Sequence, residues 1–291
     1  MKPAAFDYHR PATAQEAVSL LAELGDEAKF IAGGQSLMPM LNLRLAAFEH
    51  LIDISRLSGL EGIEVRGGSL WIGAGTRQAV IGRSETVAAS VPLLARATPL
   101  IGHFQIRNRG TIGGSIAHAD AAAEYPAVAI TLDAEIELLS PRGARTVPAA
   151  DFFTGMWSTD MAEDELLTGI NFPIWEGRSG FAIDEFARRQ GDFAIAGATV
   201  AVRIDDNARI DKCAIGLFGL GPAVTRATAA EQALIGLSVN DVDTKEIAGL
   251  AVSGLTSVPA DLHGSTEYRT RVGATRVNRA LDRALLEAKN G

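Results

Sequence analysis

The sequence predicts an α+β fold: two α/β lobes over residues 1–57 and 58–175, then a smaller domain of sheet plus helices over 176–291. Three observations predict it. Short apolar runs ending in glycine alternate with helix-period stretches through the first two lobes. A Pro- and Gly-rich segment, "PIWEGRSG" at 173–180, then interrupts the chain, and beyond it strand-like runs come first and helix-like runs last.

The first helix is written in "ATAQEAVSLLAELG". Thr13 and Glu16 form a capping box, apolar residues recur at 17, 18, 20, 21 and 24, and Gly25 stops the helix. "AKFIAGG" reads as a short strand running into glycines, "LMPMLNLRLA" has helical period, and "LIDI" reads as a second buried strand. The second lobe opens on the strand "SLWIGAGT". It continues through the helical "SVPLLARATPLIG", the glycine turn "TIGGSIAHAD" and the apolar "YPAVAITLDAEIELL", and closes near "ELLTGINFPIW". In the last region "AIAGATVAVRI" and "KCAIGLFGL" read as strands, with helices around 227–235, 243–252 and 265–289.

Composition excludes several function classes. The net charge is -8, from 27 basic and 35 acidic residues spread along the chain, so there is no basic footprint for nucleic acid. No run of about 18 apolar residues appears and the N-terminus lacks a basic-then-apolar order, which predicts a cytoplasmic chain without membrane insertion. Cys213 stands alone, so neither an internal disulfide nor an all-cysteine metal cluster can be built, and it reads as a small buried apolar residue. The five histidines do not fall at metal-ligand spacing, and no metal site is expected. There is no nucleophile elbow and no G-x-x-x-x-G-K-[ST] phosphate loop.

Two turns share an apolar-Gly-Gly-polar order: "IAGGQS" at 31–36 and "TIGGS" at 111–115. Glycine admits positive φ and close approach of a ligand to the main chain, and successive exposed N–H groups make a concave anion site, so a pair of such turns suits a diphosphate. Gln35, Ser36, Thr111 and Ser115 add hydrogen-bonding side chains. A single Gly-Gly is also ordinary punctuation at a strand end. A dinucleotide site of the doubly wound kind is rejected, because Gln78 stands where the third glycine after Gly73 and Gly75 is required.

The segments "AGGQSLMP", "RNRGTIGGSIAHAD", "AAAEYP", "DELLTGINFP" and "RRQGDFAIAG", in that order, resemble the FAD-binding medium subunit of the molybdenum hydroxylases, the group that includes xanthine dehydrogenase and carbon monoxide dehydrogenase. The resemblance runs from about residue 3 to about residue 288 and implies a two-lobed FAD-binding domain of the vanillyl-alcohol-oxidase-like (PCMH) type, followed by that family's C-terminal domain. It implies FAD contacts from Lys29, Ile31, Ala32, Gly33, Gly34, Gln35, Ser36 and Leu37 around the first turn. Around the second it implies Thr111, Gly113, Gly114 and Ser115, with Ile101, Asp120, Glu124, Leu167 and Phe193 elsewhere.

Several of these have a plainer reading. Lys29 is equally a solvated strand-end lysine; Ile101 and Leu167 are equally core; the plainer reading of Asp120 and Glu124 is a helix N-terminal charge, with cofactor contact favoured at Glu124 and less so at Asp120. Phe193, placed by the resemblance beside the flavin, is otherwise a strand-start core aromatic. His118 and His103 read as surface or loop residues. No catalytic residue is expected on this chain, because flavin electron transfer needs no protein base.

The resemblance further implies partners: a small subunit with two [2Fe-2S] clusters and a large subunit with the molybdopterin cofactor, in a dimer of heterotrimers. Electrons would pass from the clusters to FAD and on to NAD, a quinone or oxygen. Arginines at 269, 271, 276, 279 and 283 either meet such a neighbour or form a solvated face. A free-standing flavin oxidoreductase on the same fold and a non-catalytic nucleotide-binding scaffold are the alternatives.

Overall fold

A computed structural model describes residues 2–291. The N-terminal lobe is a three-stranded parallel sheet in which His50–Asp53 lies between Asp7–His9 and Ala28–Ile31. Helix Ala14–Leu24 makes the first crossover. Thr13 caps it by accepting from the Glu16 N–H at 3.1 Å, and Glu16 reaches back to the Ala12 N–H at 2.7 Å. Ala17, Val18 and Leu21 form its buried stripe, and Gly25, at φ 61, ends it.

The second lobe is a five-stranded antiparallel sheet in the order Ile63–Arg66, Ser69–Gly73, Leu166–Pro173, Glu135–Ser140, Gly143–Pro148. Its central strand is last in sequence, so Ile170 pairs with Ile72 on one side and Ile136 on the other. The apolar run "YPAVAITLDAEIELL" divides into a helix, Glu124–Thr131, and the strand Glu135–Ser140. Every residue of that helix is buried, which is why its sequence shows no amphipathic period.

The C-terminal region is an antiparallel sheet of Arg178–Phe186, Ala196–Ile204, Ile210–Phe218 and Thr225–Arg226, with the long helix Thr266–Asn290 on one face. Its first strand begins inside the Pro- and Gly-rich segment at 173–180. Gly180 acts there as a packing position: a Cβ on it would lie 2.7 Å from the Ala288 nitrogen in the long helix. The opposite face receives helix Glu124–Thr131. Phe181, Ile183, Ala201, Ala214 and Phe218 share one core with the second lobe, and a buried hydrogen bond of 2.7 Å joins Thr131 Oγ1 to Thr199 Oγ1. The Pro/Gly segment is therefore no boundary of the hydrophobic core.

No helix among the described residues is long and apolar enough to cross a membrane. Glu27 and the adjacent Glu49 and His50 bring ligand atoms within 4.8 Å of one another, so the scattered histidines of the sequence are not all isolated in the fold.

Candidate functional site

Strand Ala28–Ile31 delivers the chain into the first glycine turn, and helix Leu37–Leu43 carries it away. Between them the main-chain N–H groups of Gly33, Gly34, Gln35 and Ser36 donate to no protein acceptor. Gly34 stands at φ 71, a left-handed conformation that glycine adopts without strain, and the Gln35 amide closes the turn by donating to the Gly33 carbonyl at 3.2 Å. The result is a run of unpaired donors, the arrangement that binds an anion.

The second turn differs. Thr111 is the N-cap of helix Ile112–His118, with its Oγ1 accepting from the Gly114 N–H at 3.0 Å. The N–H groups of Ile112, Gly113 and Ser115 donate to Thr76, Ala74 and Thr111 carbonyls. The expected second set of free N–H donors is thus corrected over residues 112–115, where the protein itself occupies them; the hydroxyls of Thr111 and Ser115 remain for a ligand.

The glycines also have a different use from the expected one. A Cβ on Gly33 would lie 2.8 Å from the Arg109 carbonyl carbon and the Gly110 Cα, and one on Gly113 would lie 2.5 Å from the Ala74 Cβ. These two glycines let protein segments touch, and so bring the turns together. Gly114 faces Ala32, whose Cβ would be 3.9 Å from an added Cβ, across the gap between them.

That gap is one end of a cleft of about 530 Å³ between the lobes, and all the candidate residues line it: Lys29, Ile31, Ala32, Gly33, Gly34, Gln35, Ser36, Leu37, Ile101, Thr111, Gly113, Gly114, Ser115, Asp120, Glu124, Leu167 and Phe193. Leu167 is buried and Ile101 half-buried. Phe193 is 64% exposed at the mouth, which removes its reading as a core aromatic. The sequence reading missed Gln78, His118, Trp157 and Met161, which also line the cleft. Gln78 is buried and its Oε1 has no partner. Its side chain fills the wall at Gly110, so the residue that ruled out a doubly wound site belongs to this one.

His118 is half-buried and stacks on Trp157 with ring centroids 6.4 Å apart. Burial pushes its imidazole below the usual range, although the nearby Asp120 opposes this, so it adds no charge at neutral pH. Among the residues lining the cleft only Lys29 carries a fixed positive charge, and its ammonium lies 6.0 Å from the centre of the Phe48 ring. The Arg107 guanidinium beside the cleft is held by the carbonyls of Pro99, Ile101 and Gly102 at 3.3, 2.8 and 2.9 Å. It fixes the loop that presents Ile101.

Asp120 and Glu124 divide in role. Asp120 accepts from the Ala122 N–H at 2.8 Å and from the Trp157 indole at 3.3 Å, so its carboxylate shapes the turn. Glu124, the first residue of its helix, is 7% exposed. Desolvation, with the charges of Glu185 and Asp120, pushes its carboxyl up to about 8, and burial with Asp184 pushes Glu185 up to about 7. Both shifts are upward, so above the ordinary carboxylate range the folded chain binds more protons than the unfolded one. The thermal midpoint of the ligand-free protein should therefore fall as pH rises from the ordinary carboxylate range to about 7 and about 8, and level off above. Glu124→Gln should flatten that fall, whereas an unchanged slope in the variant would assign it to other groups.

The cleft fits FAD. It is apolar along its length, with free N–H groups and hydroxyls gathered where its two turns meet, as a flat aromatic ligand carrying a diphosphate requires.

The comparisons agree with that chemistry. Residues 4–175 match the family model described as the FAD binding domain in molybdopterin dehydrogenase, and 181–284 match the CO dehydrogenase flavoprotein C-terminal domain. The chain is 42% identical to the 6-hydroxypseudooxynicotine dehydrogenase complex subunit alpha of Paenarthrobacter nicotinovorans, over 99% of this chain and 97% of that one. It is 39% identical to the carbon monoxide dehydrogenase medium chain of Hydrogenophaga pseudoflava, over 98% of each. A solved structure of the latter enzyme, lacking the Mo-pyranopterin moiety of its cofactor, superposes with a TM-score of 0.95 at 40% identity, covering 99% of both chains. The chain belongs to the FAD-binding medium subunits of the molybdenum hydroxylases, of the carbon monoxide dehydrogenase and xanthine dehydrogenase type. It is an oxidoreductase subunit of a multisubunit enzyme.

Proposed function

We propose that the cleft holds FAD, with the diphosphate on the free N–H groups of Gly33 to Ser36 and the hydroxyls of Thr111 and Ser115. That row of unpaired donors, at the point where the two turns meet, is the observation that carries the reading. FAD, when bound, exchanges one or two electrons, and here links the [2Fe-2S] clusters of a small partner subunit to an external acceptor such as NAD, a quinone or oxygen. The molybdopterin cofactor belongs to a large partner subunit, where substrate is hydroxylated, in a dimer of heterotrimers.

The chain's own residues bind, orient and screen. Ile31, Leu37, Ile101 and Leu167 supply the apolar walls, and Arg107 holds Ile101 in place. Phe193 stands exposed at the mouth, on a turn closed by the Asp192 N–H donating to Arg189 at 3.1 Å, with Gly191 at φ 87. There it screens the ligand from solvent and sets which acceptors approach. Phe193→Ala should leave FAD content unchanged and alter the ratio of rates with two acceptors by about tenfold. An unaltered ratio would restrict Phe193 to packing.

Of the arginines of the last helix, Arg269, Arg276 and Arg283 bind carboxylates of their own chain. Arg271 and Arg279 remain exposed and are the ones free to meet a partner. Purification of the native complex tests the subunit reading: molybdenum and iron should accompany the chain. A chain that runs alone and oxidises a small molecule would instead establish the free-standing flavoenzyme.

A further inference from the structure

The cleft is short of positive charge for a site that takes a diphosphate. Its wall holds Asp120, Glu124 and Asp192 against the single Lys29. Three ionised carboxylates beside an anionic ligand would repel it, in a setting where low dielectric strengthens every charge interaction.

Glu124 does not stand alone. In strand Arg178–Phe186, successive side chains point to opposite faces. Gly180 and Asp184 face the long helix, where Asp184 is bound by Arg276 and Arg283. Phe181 and Ile183 face the core shared with the second lobe. Alternation puts Glu185 on that second face, toward helix Glu124–Thr131, and its Oε2 is buried there without a partner. One carboxyl thus stands in the wall of the cleft and the other behind it, close enough for the charge of Glu185 to act on Glu124.

No cation is placed to neutralise them. Arg107, the basic group beside Tyr125, is committed to three carbonyls, and Arg276 and Arg283 are on the other face of the strand. His118 is neutral, while Asp120 and Asp184 add negative charge on either side. Tyr125 is buried and bonded to Thr98 at 2.9 Å. Ionisation of one carboxyl therefore opposes ionisation of the other. Glu185 is the less deeply placed of the two, and its charge favours the proton on Glu124.

We propose that Glu124 meets the ligand of the cleft as a neutral carboxylic acid that donates a hydrogen bond to an acceptor oxygen, and that Glu185 is the positioning residue that keeps this proton in place. The proposal rests on the FAD reading for the identity of the ligand. A protonated carboxyl replaces a repelling charge with a donor, supplementing the free N–H groups of the first turn.

The test uses the full-length chain. Dissociation constants for FAD would be measured by flavin fluorescence from about pH 6 to about pH 9 for wild type, Glu124→Gln and Glu185→Gln. The wild type should bind roughly tenfold more weakly at about pH 9 than at about pH 7, as Glu124 loses its proton. Glu124→Gln, a permanent neutral donor, should bind with no such loss, and Glu185→Gln should move the midpoint to lower pH. Infrared spectra of the ligand-free proteins between about pH 7 and about pH 8 should show the carbonyl band of a protonated acid in the wild type, and a weaker one in Glu124→Gln, where only Glu185 contributes. Affinity independent of pH in the wild type, the wild-type pH dependence in Glu124→Gln, or absence of the band would each overturn the proposal. Should the chain bind no FAD at any pH, the flavin reading fails by itself. The band and its shift to lower pH in Glu185→Gln then decide the state of Glu124 independently.

Discussion

Gly113→Val is expected to abolish FAD binding and to destabilise the ligand-free protein at the same time, by about 3 kcal/mol. The new side chain would enter space already held by Ala74, whose Cβ, Cα and carbonyl oxygen lie 2.5, 2.8 and 2.8 Å from the Cβ position. Two of those atoms are backbone, in the turn that also receives the Gly113 N–H, so the helix Ile112–His118 must move away from the sheet. Gly33→Val meets Arg109 and Gly110 in the same way. The joint loss separates two accounts of these glycines. If they served only to let the cofactor approach, the ligand-free variants would unfold at the wild-type temperature and fail only to bind. Thermal unfolding of both apoproteins decides between them.

Arg269→Met should lower stability by about 2–4 kcal/mol and disturb the acceptor side of the cleft. Arg269 is 5% exposed, pairs with Asp261 at 2.6 Å and donates to the Ile195 carbonyl at 2.8 Å and to the Gly219 carbonyl at 3.4 Å. Methionine keeps most of the stem but leaves two buried carbonyls without their donor. Ile195 is two residues from Phe193, and the Gly219 N–H holds the Ala121 carbonyl at 2.7 Å, beside Asp120. The guanidinium thus ties together two segments of the cleft that belong to different regions of the chain. Denaturant unfolding gives the stability change, and the ratio of rates with two acceptors gives the effect at the mouth. Stability within about 0.5 kcal/mol of the wild type would return Arg269 to the solvated face suggested by its spacing.

The parts of this molecule that the sequence expressed were those set by local rules. The capping box at Thr13, the glycine stop at Gly25 and the long amphipathic C-terminal helix all rest on residues within a few positions of one another. The cleft residues were also legible, through ordered motifs around the two glycine pairs. What stayed hidden depends on distant partners. Gly33 and Gly113 look like glycines that make room for a ligand, and only the fold shows Arg109 and Ala74 in that room. Gly180 looks like a strand breaker until the long helix lies against it. The helix-capping role of Thr111 had a local signal, a threonine three residues before the N–H it accepts, but the neighbouring glycines outweighed it. Glu185 had no signal in the sequence: its meaning comes from strand alternation and from what packs on that face.

The most direct test of the central claim is a titration of the purified full-length chain with FAD, followed by absorption and flavin fluorescence, alongside Gly33→Val. The account predicts saturation at one flavin per chain, with loss of binding in the variant. A wild-type chain that remains folded and takes up no flavin at any concentration would contradict it.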